Sequence, residues 1–200
     1  MSRISSIVIA IALFVASFAY AQAPSQRIRG DLIGLDGMTL QVKERSGEVM
    51  TITLADNYTV TAVVKTTIDA IKPNSYIGAA SMRGSDGNDT ALEVLVLPES
   101  GRGGNEGHYP WDLKPGSMMT NATVSEVIAV DNARNVHVKY KDGERTIVVP
   151  AGVPIVTFEQ GDRAMVKPGA HVLVNATRAA DGSLTTARVA VGKDGLVPPM

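Results

Sequence analysis

Ile71-Lys72-Pro73-Asn74-Ser75-Tyr76-Ile77 and Val166-Lys167-Pro168-Gly169-Ala170-His171-Val172 carry one rhythm twice: an apolar residue, Lys-Pro, a short polar turn, and a return to apolar positions. Further along, Asp86-Gly87 through Glu93-Val94-Leu95-Val96 repeats as Asp181-Gly182 through Arg188-Val189-Ala190-Val191. Both matches hold at one offset of 95 without a gap. Upstream, Leu40-Gln41-Val42-Lys43 matches Val136-His137-Val138-Lys139, and Ser46-Gly47-Glu48 matches Asp142-Gly143-Glu144. Here the offset is 96, and Thr59-Val60 against Ile155-Val156 falls in the same frame. The start of each copy aligns less clearly and is left open. Self-similarity at a fixed period marks an internally duplicated chain.

Each copy reads as strands. Residues 38–44 and 135–140 alternate apolar and polar, the pattern of a half-buried strand. Gly47 and Gly143 lie in short polar turns between two such runs, a hairpin signal. Met50, Ile52 and Leu54 share one face of the next strand. Ala91 to Leu97 and Thr186 to Val191 close each copy after Asp-Gly turns, which favour positive φ. The only helical candidates are single turns, Thr67 to Ile71 and Arg163 to Val166, each stopped by Lys-Pro. The expectation is an all-β chain of two tandem five-stranded OB-like barrels, since closure removes exposed edges. Two copies sharing one sandwich is the alternative. The expected division is a first domain over 27–97, a linker over 98–118, a second domain over 119–193 and a tail over 194–200. A core below about 80 residues is marginal alone, so the copies are expected to pack as a fixed pair.

The amino terminus reads as an export signal. Arg3 precedes an apolar run from Ile7 to Phe18, and Ala19-Tyr20-Ala21 places small residues at −3 and −1 of a cut after Ala21. A membrane anchor is the other reading, but the run falls short of the roughly 20 residues a bilayer crossing needs. Residues 1–21 are therefore expected to be removed, leaving a periplasmic or secreted chain without stable membrane insertion. The chain has no cysteine, which excludes a lipoprotein anchor, disulfides, thiolate metal sites and Cys nucleophiles. Without Arg3 the 19 basic residues become 18 against 20 acidic ones. There is no concentrated positive footprint, so nucleic acid is not an expected partner.

The stretch between the copies is the most unusual. It is rich in Gly and Pro, yet Glu106-Gly107-His108-Tyr109-Pro110-Trp111-Asp112 holds the only tryptophan. A flexible linker is polar and free of large rings, and long ordered loops are usually packed or functional. Three readings follow. Trp111 and Tyr109 staple the linker between the barrels, or Tyr76, Glu106, His108, Tyr109, Trp111 and Asp112 form a ligand site there, or the linker is a disordered strap. The sequence from Gly107 to Leu113, followed by Pro115-Gly116-Ser117-Met118-Met119-Thr120-Asn121-Ala122-Thr123, resembles an exported proteobacterial family of conserved proteins of unknown function. The closing Val191-Gly192-Lys193-Asp194-Gly195-Leu196-Val197-Pro198-Pro199-Met200 resembles the same family. The resemblance covers nearly all of the mature chain. It implies tandem small β domains and an envelope location, and it supplies no catalytic residues.

Chemistry beyond binding finds little footing. His108, with Glu106, Asp112, Met118 and Met119 nearby, is the one candidate centre for copper or zinc. His137 shares a polar strand face and reads as solvent-exposed, and His171 takes the place of Tyr76 in the duplicate. Asp86-Gly87-Asn88-Asp89 lacks the glycine and bidentate Glu of a calcium loop and reads as a turn. There is no nucleophile elbow or phosphate loop. The expected function is a non-catalytic envelope binding or accessory protein, with a glycan, peptide or partner protein as ligand and no cofactor. The alternative is a periplasmic copper- or zinc-handling protein centred on His108.

Overall fold

The computed structural model describes residues 25–199, so the expected signal segment, 1–21, lies outside the described residues. The described chain is all-β, with no helix beyond single 3-10 turns such as Ile68–Ala70 and Arg163–Met165. Its strands are β1 Ser25–Asp36, β2 Thr39–Glu44, β3 Val49–Lys65, β4 Tyr76–Arg83, β5 Asp89–Leu97 and β6 Gly107–Pro110, then β7 Met118–Val130, β8 Ala133–Tyr140, β9 Gly143–Pro150, β10 Ile155–Gln160, β11 His171–Arg178 and β12 Leu184–Gly192.

Five strands close a barrel. β1 pairs with β2, β2 with β3, β3 with β12 in parallel, β12 with β11, and β11 back with β1. Side chains alternate across a strand, so one row from each faces inward. Ile28, Leu32, Leu40, Val42, Ile52, Val174 and Val189 form that row and are completely buried. Burying a side chain of this size contributes about 1.5–3 kcal/mol. A second circuit of pairings has the same order: β7–β8–β9, then β5 in parallel with β9, then β4, which returns to β7. Ile77, Ala79, Val94, Ala122, Val124, Val136, Val138 and Ile147 lie inside it.

The contiguous division over 27–97 and 119–193 does not describe this pairing. Each circuit takes three strands from one copy and two from the other. The first copy's β4 and β5 complete the second circuit, and the second copy's β11 and β12 complete the first. The equivalent rungs match in detail. Val60 opposite Val189 corresponds to Ile155 opposite Val94. Leu32 opposite Val42 corresponds to Val124 opposite Val138, and the same bulge follows each, before Gly34 and before Glu126.

This register also corrects the sequence alignment. Leu40 opposite Ile52 corresponds to Val136 opposite Ile147, so the copies differ in length at the β2–β3 and β8–β9 hairpins. Beyond the hairpin Val60 and Ile155, 95 positions apart, hold the same place; the frame of 96 does not continue to them.

β3 runs unbroken for 17 residues, while its counterpart is interrupted between β9 and β10, where Gly152 adopts φ +83°. β10 then pairs with the far half of β3 and with β5, tying both circuits into one sheet. Val63 pairs with Phe158, its own equivalent 95 positions on, so an approximate two-fold relation passes through that rung. Around it Val63, Val156, Leu173 and Ala190 make a small third core between the circuits.

Candidate functional site

A groove of about 740 Å³ runs between the two circuits. Arg27, Asn175 and Arg188 line one wall, from β1, β11 and β12. Asn121, Tyr109, Asn105 and Glu106 line the other, and Leu95, Leu97, Phe158 and Leu173 are the apolar members of the lining. Trp111 and Met119 complete one end. A smaller concavity of about 380 Å³ shares Phe158, Leu173, Asn175 and Arg188 and continues the groove toward Ala190.

The expected linker is ordered by specific bonds. Within it β6 pairs with the start of β7, Tyr109 opposite Met119 and His108 opposite Thr120. Tyr76 is buried on the outer face of β4, and its hydroxyl donates to the Gly104 carbonyl at 3.0 Å. Burial, then the charges of Glu106 and Tyr109, push its phenol up to about 12. Arg102 donates to the Asn74 carbonyl and to both carboxylate oxygens of Glu99. The Asn121 amide donates to the Tyr109 hydroxyl at 2.6 Å and to the Asn105 carbonyl at 3.0 Å. Gly78 makes room for it, because a Cβ there would meet Asn121 Oδ1 at 2.5 Å. The Trp111 backbone N–H donates to the Ser117 carbonyl oxygen at 2.8 Å, closing the 111–117 loop.

Trp111 and Asp112 dock on the first barrel. The Arg27 guanidinium lies 3.7 Å from the Trp111 ring centroid, a cation–π contact. Arg29 donates twice to the Asp112 carboxylate, at 2.8 and 3.2 Å, and Arg27 approaches it at 2.9 Å. Burial alone would raise the Asp112 carboxyl, but the Arg29 hydrogen bonds and the charges of Arg29 and Arg27 prevail and hold it at about 2. Glu93 lies beneath this cluster. It is opposite Ala80, which is opposite Met119, which is opposite Tyr109, so one cross-strand row links it to the groove wall. Glu93 is 2% exposed, and its Oε1 has no hydrogen-bond partner among the described residues. Desolvation pushes its carboxyl up to about 7, against the charges of Arg29, Arg45 and Arg27.

Of the residues expected from sequence, Glu106, Tyr109, Trp111 and Met119 line the groove. Asp112 sits beside it on the arginines, and Tyr76 holds the linker without lining the groove. His108 is separated from them. Its β6 position puts it on the face opposite Tyr109, where Nδ1 meets Thr120 Oγ1 at 2.9 Å. Burial, then Arg145, lowers its basicity there against the opposing pull of Asp89. Register places Met118 on that face and Met119 on the other, so the expected ligand pair is split. Among the described residues no group of three or more His, Asp or Glu is placed to hold a metal. His137 is half-buried and bonds Thr146, where exposure was expected; His171 pairs with Asp31 at 2.6 Å.

Arg27, Arg29, Glu93, Arg188 and the three asparagines were not singled out from sequence. Apart from Asn105, in the turn before β6, they come from strands far apart in the chain, and each alone reads as an outward polar position. The available chemistry is charge pairing, amide hydrogen bonding and aromatic contact along an apolar floor. Comparison with family models, curated proteins and solved structures finds no match to this chain.

Proposed function

We propose that the protein is an exported, non-catalytic binding protein of the cell envelope. Its ligand is an extended polar chain lying in the groove between two OB-like barrels that exchange their last two strands. The observation that carries this reading is the composition of the groove. Arginine and asparagine side chains face Tyr109, Asn121 and Glu106 across an apolar floor, and the linker between the copies supplies part of the wall. Convergent polar groups over apolar surface at a domain boundary are the usual make-up of a binding site. OB-like barrels commonly bind on one face and through their loops.

Trp111 is the only tryptophan and borders the groove, so its fluorescence reports occupancy. The test titrates the mature protein with oligosaccharide fragments of envelope glycans and with unstructured peptides. A saturable signal is expected from one class. Asn121→Ala and Tyr109→Phe are expected to weaken it by about fivefold, since a lost hydrogen bond to a neutral group is worth about 1 kcal/mol. Affinity unchanged in both variants places the ligand elsewhere and refutes the reading.

A further inference from the structure

Arg27 belongs to two concavities at once. It lines the groove, and with Arg29, Arg45, Ser46 and Asp112 it lines an adjoining hollow of about 180 Å³. Arg27 and Arg29 come from β1, and Arg45 from the turn before β3. Two of the three guanidinium groups are turned onto one carboxylate, Asp112, which Arg29 grips through two nitrogens. Arg45 makes no ion pair among the described residues. Asp112 lies in the 111–117 loop, whose residues 112 and 114–116 are exposed, and its side chain is 49% exposed, while Arg29 on β1 is 12% exposed. The fixed partner is thus the arginine pair, and the movable one is the carboxylate. Glu44 also borders the hollow, so its charge is matched only in part.

We propose that Arg27, Arg29 and Arg45 form an oxyanion subsite at the end of the groove, with Asp112 as its built-in occupant, displaced when a ligand brings a carboxylate or phosphate of its own. The planar fork of an arginine matches either group through two parallel hydrogen bonds. An extended ligand that reaches this end is therefore acidic there. Entry of its anion releases the 111–117 loop from the first barrel and lifts Trp111 off Arg27. This deepens the groove reading and rests on it for the identity of the ligand; the subsite itself does not need that ligand to be tested.

The test uses inorganic phosphate and acetate at constant ionic strength, with chloride as the reference anion and Trp111 fluorescence as the signal. Asp112→Asn keeps the shape of the side chain and removes its charge. It is expected to bind one or both anions at least tenfold more tightly than the unaltered protein, about the effect of one charge-assisted hydrogen bond. Adding Arg29→Gln to that variant is expected to abolish binding, and adding Arg45→Gln, an exposed position safe for folding, to weaken it severalfold. Which of the two anions saturates distinguishes a phosphate from a carboxylate source. Equal affinity in Asp112→Asn and the unaltered protein overturns the proposal. So does binding in Asp112→Asn that survives both arginine replacements. Either result leaves the groove reading standing, because that reading is tested with Asn121 and Tyr109 variants and a chain ligand.

Discussion

Replacing Glu93 by Gln should flatten the pH dependence of stability. The carboxyl is held at about 7 in the folded chain, against an ordinary value of 4.5. Its side chain is shielded from water beneath Arg29, Arg45, Asp112 and Arg27, the charged groups that act on it. A raised carboxyl means that the folded state keeps its proton while the unfolded state has released it. Stability therefore falls as pH rises from about 4.5 to about 7, and the loss is complete above that range. The difference of about 2.5 pH units corresponds to about 3 kcal/mol in total, of which about 2 kcal/mol lies between pH 5 and 8. The assay is urea denaturation of the unaltered protein and Glu93→Gln at those two pH values. With an m-value of about 2 kcal/mol per molar, the unaltered midpoint should drop about 1 M further than that of the variant. Glu93→Gln should also be the more stable protein at pH 8, since the amide carries no charge to desolvate. Parallel pH slopes in the two proteins would refute the reasoning, because they would mean that Glu93 ionises at its ordinary value or stays paired with Arg29 when charged.

Tyr76→Phe removes one hydrogen bond to Gly104 and should cost about 1 kcal/mol, with faster hydrogen exchange across 102–106 and loss of the phenol that titrates near 12. Asp112→Asn should cost under about 1 kcal/mol in urea denaturation, because Asp112 is half-exposed, and without an added anion it should leave Trp111 emission near that of the unaltered protein. Gly78→Ala should weaken groove binding without unfolding the chain, since the added methyl displaces the Asn121 amide. Fragments 25–97 and 98–199 should fail to fold separately as monomers and should assemble when mixed, as read by size-exclusion chromatography. Two stable monomeric fragments would show that the strand exchange is not what completes the two circuits.

How much of this was legible in the sequence depends on what a strand pattern encodes. Alternation fixes which face of a strand is buried, so Leu40, Val42 and Ile52 and their counterparts Val136, Val138 and Ile147 were readable as core. It does not fix which strand lies alongside. β4 carries an inward row that β1 or β7 can receive, because both present equivalent positions, and duplication makes the two choices locally alike. The exit of β3 decides between them. Its unbroken run carries the chain past the first barrel before the Lys72-Pro73 turn reverses it. Glu93 was misleading for a similar reason. A charged residue in a strand gives no sign of burial by itself, yet Glu93 is 2% exposed, with Arg27, Arg29, Arg45 and Asp112 as the charges acting on it. The linker aromatics were legible because large rings in a Gly/Pro stretch have no cause other than packing or binding. Their arginine partners were not, because Arg29 and Asp112 are 83 positions apart.

Duplication alone would give a groove with two like halves, and its asymmetry has an identifiable source. Strand positions lining it are related in pairs 95 positions apart, Gly78 with Leu173 and Leu95 with Ala190, and Arg188 is the equivalent of Glu93, which lies outside the lining. After β5 the chain continues into the long stretch that supplies Asn105, Glu106, Tyr109 and Trp111, whereas after β12 the described chain has only residues 193–199. One end of the groove therefore gains an aromatic and amide wall, and the other has strand surface around Arg188 and Ala190. Glu93 and Arg188 sharpen the difference, since equivalent positions carry opposite kinds of charge, one buried and near-neutral, the other exposed. If the proposed ligand occupies this groove, it meets different chemistry at its two ends and should bind in one direction.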